Sequence, residues 1–189
     1  MLITPRLRLR ELEALDFAAL RAIDDDPEVQ RYRGGRVIAP EQTRDYLERI
    51  MAERTRAPRL RHHFGLTLAG ADEVIGGCWL VITSPEWREA ELGYQLNRRH
   101  WGRGYATEAA RALLGFGFEQ LDLHRIYAKC HPENLASQRV LEKAGMRHEG
   151  QLWECAAAAD DWCALNLYAL HHHEWKIDLR PNISNLKSY

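Results

Sequence analysis

Apolar and polar residues alternate near the start of the chain, where Leu7 and Leu9 are interleaved with Arg6, Arg8 and Arg10. A period of two predicts a half-exposed strand with its arginines on the wet face. The spacing then becomes helical. Asp16 stands as N-cap before a helix from Phe17 to about Ile23, which Asp24-Asp25-Asp26-Pro27 stops. Pro40 at a first helical position opens a second helix to about Glu53, with Tyr46, Leu47, Ile50 and Met51 on one face. Phe64, Leu66 and Leu68 alternate again, and after a short loop through Gly70 and Asp72 the run from Val74 to Ile82 predicts the second arm of an antiparallel hairpin. Ala90 to Asn97 is a further strand. Ala106, Ala109, Ala110, Leu113, Leu114, Gly117 and Leu121 sketch a helix with a close-packing small-residue face. Arg125 to Cys130 reads as strand, and Asn134 caps a helix that runs to Ala144 with Gly145 as its stop. Met146 to Trp153 and Trp162 to Leu170 close the chain as two strands, giving the order β-α-α-β-β-β-α-β-α-β-β.

A chain of 189 residues with 46% hydrophobic composition forms one domain with a sizeable core, α/β or α+β in class. That domain is expected over 1–175, with a tail at 176–189. The formal net charge of -1 gives no global drive toward nucleic acid or an acidic membrane, so any phosphate recognition has to come from a local basic cluster. Met1 to Arg6 lacks a basic start followed by an apolar run, and no apolar stretch reaches spanning length. The expectation is a soluble cytoplasmic protein with neither nucleic acid nor membrane as partner. Cys78, Cys130, Cys155 and Cys163 form no C-x-x-C pair, which argues against structural zinc or a redox motif. His171-His172-His173, read as an edge strand, cannot converge on one ion because alternate side chains face apart, so no metal is expected.

The chemistry concentrates between Arg98 and Ala110, where an arginine-rich turn punctuated by Gly102 and Gly104 runs directly into a helix. Glycines let backbone approach an anion, the helix start aims free N–H groups at the same spot, and Arg99 and Arg103 can pair with phosphate oxygens. This reads as a pyrophosphate cradle; a solvated basic turn is the alternative. A Walker loop needs Gly-Lys-Ser/Thr where Gly104-Tyr105-Ala106 stands, and a dinucleotide fingerprint needs a small residue at Thr107 and a place near the start of a βαβ series.

Together with the segment Asn134 to Met146 some thirty residues later, this turn resembles the GNAT acetyltransferases. Glu91-Leu92-Gly93-Tyr94, Trp101 to Ala109, Tyr168-Ala169-Leu170 and Glu174-Trp175 are most similar to their RimJ/RimL branch, and the resemblance extends from Thr4 to Trp175. It implies a central mixed, mostly antiparallel sheet of about seven strands with four helices, splayed between the fourth and fifth strands. It implies acetyl-CoA as cosubstrate, its pantetheine arm on the backbone edge of Gln95, Leu96 and Asn97. Arg99, Gly102 and Gly104 match the family's R-x-x-G-x-G, and the N–H groups of Arg103, Gly104, Tyr105, Ala106 and Thr107 face the pyrophosphate. Asn134 then holds the pantetheine amide, and Ser137 protonates or hydrogen-bonds the leaving thiolate. Glu91 matches the acidic residue many relatives carry as base, acting through water, with Glu89 on the same face; the alternative is a carboxylate merely paired with an arginine.

The implied reaction is acetyl transfer to a primary amine, a protein N-terminus or a small molecule, by direct attack in a ternary complex. A covalent route through Cys130 is disfavoured, since it and His131 face apart in a strand. One departure concerns the acceptor. Ala164 stands where RimJ/RimL-like chains commonly carry an acid, which implies either that Asp160 or Asp161 binds the acceptor, with Trp153 and Trp162 alongside, or that the acceptor differs from that of its relatives. Asp24, Asp25, Asp26 and Glu28 form a second acidic segment expected to border the same side. That departure also leaves open a catalytically silent acyl-CoA-binding module. A nucleic-acid domain using Arg31, Arg33, Arg36, Arg98 and Arg99 is the remaining class, and a homodimer stays open as the assembly.

Overall fold

Leu7 and Leu9 are fully buried while their neighbouring arginines reach the surface, so the N-terminal alternation forms strand β2 (Leu7–Arg10), with a two-residue strand β1 (Leu2–Ile3) before it. The computed structural model describes residues 1–33, 38–158 and 161–175, and of these the side chains outside 154–163. Helices α1 (Phe17–Asp24), α2 (Pro27–Gln30) and α3 (Pro40–Glu53) follow, then the hairpin β3 (Arg61–Leu68) and β4 (Val74–Ser84), β5 (Glu89–Leu96) and α4 (Tyr105–Glu119). The chain continues through β6 (Arg125–Cys130), α5 (Leu135–Ala144) and a second hairpin, β7 (Arg147–Ala158) and β8 (Asp161–His171). The expected elements are all present, and β1 and α2, too short to show a period, are added. The expected tail at 176–189 lies outside the described residues.

Eight strands form one sheet in the order β1-β2-β3-β4-β5-β6-β8-β7. Neighbours are antiparallel except β5 and β6, which run parallel and pair only at Glu89↔Arg125, Ala90↔Ile126 and Glu91↔Tyr127. Beyond Glu91 each keeps its outer partner, β5 on β4 as far as Leu96 and β6 on β8 as far as Cys130. The sheet therefore opens as a V, and the inner edge of β5 loses its ladder partner where the pairing stops.

Helices cover both faces. Ala109, Ala110, Ala112, Leu113, Leu114 and Phe118 of α4 pack in one core with Leu7, Leu66, Ile75, Leu80, Leu92 and Ile126. Leu20 of α1 and Leu47 and Ile50 of α3 pack with Leu12 and Val74 in another. Val74 and Ile75 are successive residues of β4 and so point to opposite faces, which sets α1 and α3 across the sheet from α4.

Two local expectations are corrected. Asp16 does not cap α1: its carboxylate accepts the Glu13 N–H at 2.7 Å in the preceding 3-10 turn and takes both terminal nitrogens of Arg10 at 2.8 Å, so a bidentate ion pair outcompetes the cap. His171 closes β8, an inner strand, and His172 and His173 continue in a 3-10 turn, because the strand loses its partner where β6 begins at Arg125.

Candidate active site

The turn before α4 takes its shape from two glycines. Gly102 and Gly104 have φ of +73° and +80°, a region costly for any residue with a Cβ, and Gly104 is the residue from which α4 starts. No side chain caps that end, so the first-turn N–H groups of Tyr105, Ala106 and Thr107 lack intrahelical acceptors and sit at the positive end of the helix dipole. Arg99 and Arg103 are exposed on the turn.

A clasp from the N-terminal strands fixes this turn. Arg6 Nη1 donates to the Arg103 carbonyl at 2.9 Å and Arg6 Nε to Glu108 Oε2 at 2.6 Å. The Arg6 backbone N–H and the Thr4 hydroxyl both donate to Glu108 Oε1, at 2.9 and 2.6 Å. Burial works to raise the Glu108 pKa, but the hydrogen bonds from Thr4 and Arg6 outweigh it and hold the carboxyl below the usual range. Sequence reasoning placed Arg6 on a wet face; its partners lie 97 and 102 positions away, beyond any local pattern.

Along β5, Asn97 donates its N–H to the Ile75 carbonyl at 2.9 Å, and its side-chain oxygen accepts the Arg99 N–H at 3.0 Å. Backbone groups of successive strand residues face opposite edges, so Gln95 and Asn97 turn theirs toward β4. Of the three residues expected along pantetheine, only Leu96 faces the V, with its carbonyl accepting from Trp101 Nε1 at 2.9 Å.

Ser137 lies in the first turn of α5, where Asn134 Oδ1 accepts its N–H at 3.0 Å. Its Oγ is 2.9 Å from the hydroxyl of Tyr94, which also donates to the Ser137 carbonyl at 3.1 Å. Because Tyr94 is on β5 and Ser137 follows β6, this pair links the two halves of the sheet beyond the split. Burial pushes the Tyr94 phenol up, the Ser137 hydrogen bond offsetting only part of the shift. The Cys130 thiol, 6% exposed, is pushed up to about 11 by burial, with Ser137 as hydrogen-bond partner. A thiol held protonated is a poor nucleophile. His131 does not activate it: its ring is tilted against Tyr32 at 5.3 Å, and its Nδ1 accepts the Glu133 N–H at 3.2 Å.

Glu91 is the last residue paired before the sheet splits, which sets it at the vertex of the V. Lys129 Nζ stands 3.1 Å from its Oε2, so the partner is a lysine of the facing strand rather than an arginine. Glu89 is engaged by Arg125 at 3.3 Å, which also binds Glu149 at 2.5 Å.

The acceptor side departs most from expectation. Trp153 is 76% exposed, and Ala164 is half-buried in β8. Asp160 lies outside the described residues, and the side chains of Asp161 and Trp162 are likewise outside them, as is Arg36 of the nucleic-acid reading. In the second acidic segment Glu28 is exposed, whereas Asp24, Asp25 and Asp26 are already engaged. Thr43 donates to Asp24 Oδ2 at 2.7 Å, Arg21 binds Asp25, and Asp26 both caps α2 and lies 3.3 Å from Arg98. Between α1, α3 and strands β3 to β5 there is instead a cavity of 290 Å³ lined by Asp24, Arg33, Tyr46, His63, Trp79 and Gln95 among others. The Tyr46 hydroxyl is 3.0 Å from His63 Nδ1, and the His63 ring stacks on Trp79 at 6.2 Å. Burial, then the nearby arginines, push the His63 imidazole down to about 4, so it is neutral near pH 7.

Among the described residues no helix is long and apolar enough to cross a membrane, and no three His, Cys, Asp or Glu side chains are grouped to hold a metal. Residues 6–147 match the family model of the acetyltransferase (GNAT) domain. The chain is 33% identical over 172 residues to YnaD of Bacillus subtilis (strain 168), described as an uncharacterized N-acetyltransferase, covering 91% of this chain and 97% of that one. It matches the crystal structure of an acetyltransferase (GNAT family) from Bacillus anthracis with a TM-score of 0.80 at 31% identity, over 91% of this chain and 98% of that one. Mycobacterium smegmatis RimJ in complex with CoA-disulfide matches with a TM-score of 0.78 at 25% identity, over 91% and 88% of the two chains. A family match over most of the sequence, on a sheet that splits where such a sheet was expected to, makes this chain a member of the GNAT acetyltransferases, with the RimJ/RimL type among its structural neighbours.

Proposed function

We propose that the protein transfers the acetyl group of acetyl-CoA to a primary amine by direct attack in a ternary complex. The observation that carries this reading is the pair of left-handed glycines opening α4 beside the split β5–β6 ladder. The uncapped N–H groups of Tyr105, Ala106 and Thr107, with Arg99 and Arg103, take the pyrophosphate; the β5 edge at Leu96 takes the pantetheine arm, and Asn134 its amide. The CoA structure of the RimJ neighbour supports that donor. The thioester supplies an activated acyl carbon, and the protein's residues do the rest.

An α-amine titrates near ~8 and a lysine amine near ~10.4, so most of the acceptor enters protonated at neutral pH. Glu91, oriented by Lys129, takes its proton through a water. The amine nitrogen then forms a bond to the carbonyl carbon. Negative charge developing on the carbonyl oxygen is met by a backbone N–H that the split frees on β5. As the C–S bond breaks, its electron pair leaves on sulfur. The Ser137 hydroxyl passes its proton to that sulfur and takes up the second proton of the attacking nitrogen, leaving a neutral amide and a CoA thiol, while Tyr94, 2.9 Å from Ser137 Oγ, holds the hydroxyl in place.

Gly104→Val tests the donor site. At φ +80° a Cβ is strained, and it would stand 3.3 Å from Arg6 Nη2. Strain of about 1–2 kcal/mol in the turn corresponds to roughly a tenfold weaker acetyl-CoA affinity by calorimetry. Unchanged affinity in a folded variant removes the cradle from this turn.

A further inference from the structure

Building on the transferase reading above, we infer that the cavity between α1, α3 and strands β3 to β5 is the acceptor pocket, and that it takes a primary amine whose body carries a carboxylate. Position comes first. Glu91, Gly93 and Gln95 share one face of β5, and Gln95 lines the cavity. Ala90 and Leu92, on the other face, belong to the core that α4 covers. The cavity thus opens on the side of β5 away from α4 and shares a face with the vertex residue Glu91. Trp79 lies flat across Gly93, where an added Cβ would come within 2.2 Å of its ring, so the absent side chain is what lets the indole form that wall.

Charge selects the ligand. Asp24 and Arg33 are the charged side chains among the described lining residues. Asp24 is only 10% exposed at its side chain and already accepts from Thr43, with Arg33 4.0 Å away. It offers little to an incoming cation. Arg33 is 41% exposed at its side chain, and its partners among the described residues are the Gln95 amide oxygen and, beyond hydrogen-bond distance, Asp24. A guanidinium has five N–H donors in a planar fork that matches a carboxylate, so donors remain for a ligand anion. The rest of the lining is uncharged and includes Leu20, Ile38, Trp79 and the Tyr46–His63 pair, whose imidazole burial keeps neutral. A polycation meets no free carboxylate among these residues, whereas an amine with an acidic end meets Arg33.

Matched acceptors test this. Thiol release with acetyl-CoA is followed for phenylalanine against phenethylamine and for 6-aminohexanoate against pentylamine, with spermidine alongside. In the unmodified enzyme at least one acid is expected to exceed its decarboxylated partner in kcat/KM by about ten- to a hundredfold, the range of a charge-assisted pair. Arg33→Leu should erase that preference by raising KM for the acid, Arg33→Lys should restore part of it, and acetyl-CoA affinity should be unchanged in both. Preference for the bare amines or spermidine, or no turnover of either acid while acetyl-CoA binds, overturns the pocket assignment. Absence of acetyl-CoA binding by calorimetry instead overturns the transferase reading beneath it.

Discussion

Ser137 shows what a single residue contributes to the candidate site and how much of that a sequence can disclose. Its place was legible because Asn134 caps α5 locally and puts position 137 in the first turn. Its partner was not, since Tyr94 arrives from β5, 43 residues away. Lys129 on Glu91 and Arg6 on Glu108 were missed for the same reason: each pair is closed by the sheet rather than by spacing along one element. If the Ser137 hydroxyl protonates the leaving sulfur, Ser137→Ala lowers kcat by about 10²-fold, the lower end of what positioned proton transfer contributes, with little change in acetyl-CoA affinity. Tyr94→Phe removes only the support of that hydroxyl and should lower kcat less. Steady-state kinetics paired with calorimetry separate the two effects, and an unaltered kcat in Ser137→Ala means the thiolate leaves without this residue.

At the scale of elements, long amphipathic segments were read correctly because burial of one face fixes their period, as with Leu113 and Leu114 in α4 or Leu47 and Ile50 in α3. Ends were read less well. Asp16 has the chemistry of a cap, yet Arg10 six positions earlier claims its carboxylate. The start of α4 has its own dependence on a distant element, because the Glu108 carboxylate holds Arg6 and Thr4 against the glycine turn. Its folded pKa lies below its unfolded value, so the stabilisation is fully present above the ordinary carboxylate range and is lost as pH falls through the folded value. Glu108→Gln should therefore be less stable than the parent by about 2 kcal/mol at pH 7, as expected for charge-assisted hydrogen bonds, with the gap narrowing near pH 4. Denaturant titrations at the two pH values check it, and a gap independent of pH contradicts the clasp.

Across the whole molecule, the sequence pattern and family resemblance foretold a sheet that splits beside a glycine turn, while the acceptor side stayed hidden. The acidic run Asp24-Asp25-Asp26 looks like a rim for cations until Thr43 and Arg98 fold onto it from two other segments and Arg21 reaches it from the preceding turn of α1. The split has a mechanical consequence. Strands β1 to β5 and strands β6 to β8 are joined in the ladder by three residue pairs, with the Tyr94–Ser137 contact as a further tie beyond them. A donor lying in the V would bridge the halves and bind only the folded state, so at a hundredfold excess over its dissociation constant it adds about 2.7 kcal/mol of stability. For a domain of this size that is a rise in Tm of roughly 5–10 °C. Hydrogen exchange should localise it, because the amides of Tyr94 and Leu96 face the V and gain protection, whereas those of Gln95 and Asn97 already face β4 and change little. Protection gained equally at all four positions, or a Tm unmoved by acetyl-CoA, would mean that the donor does not lie along this edge.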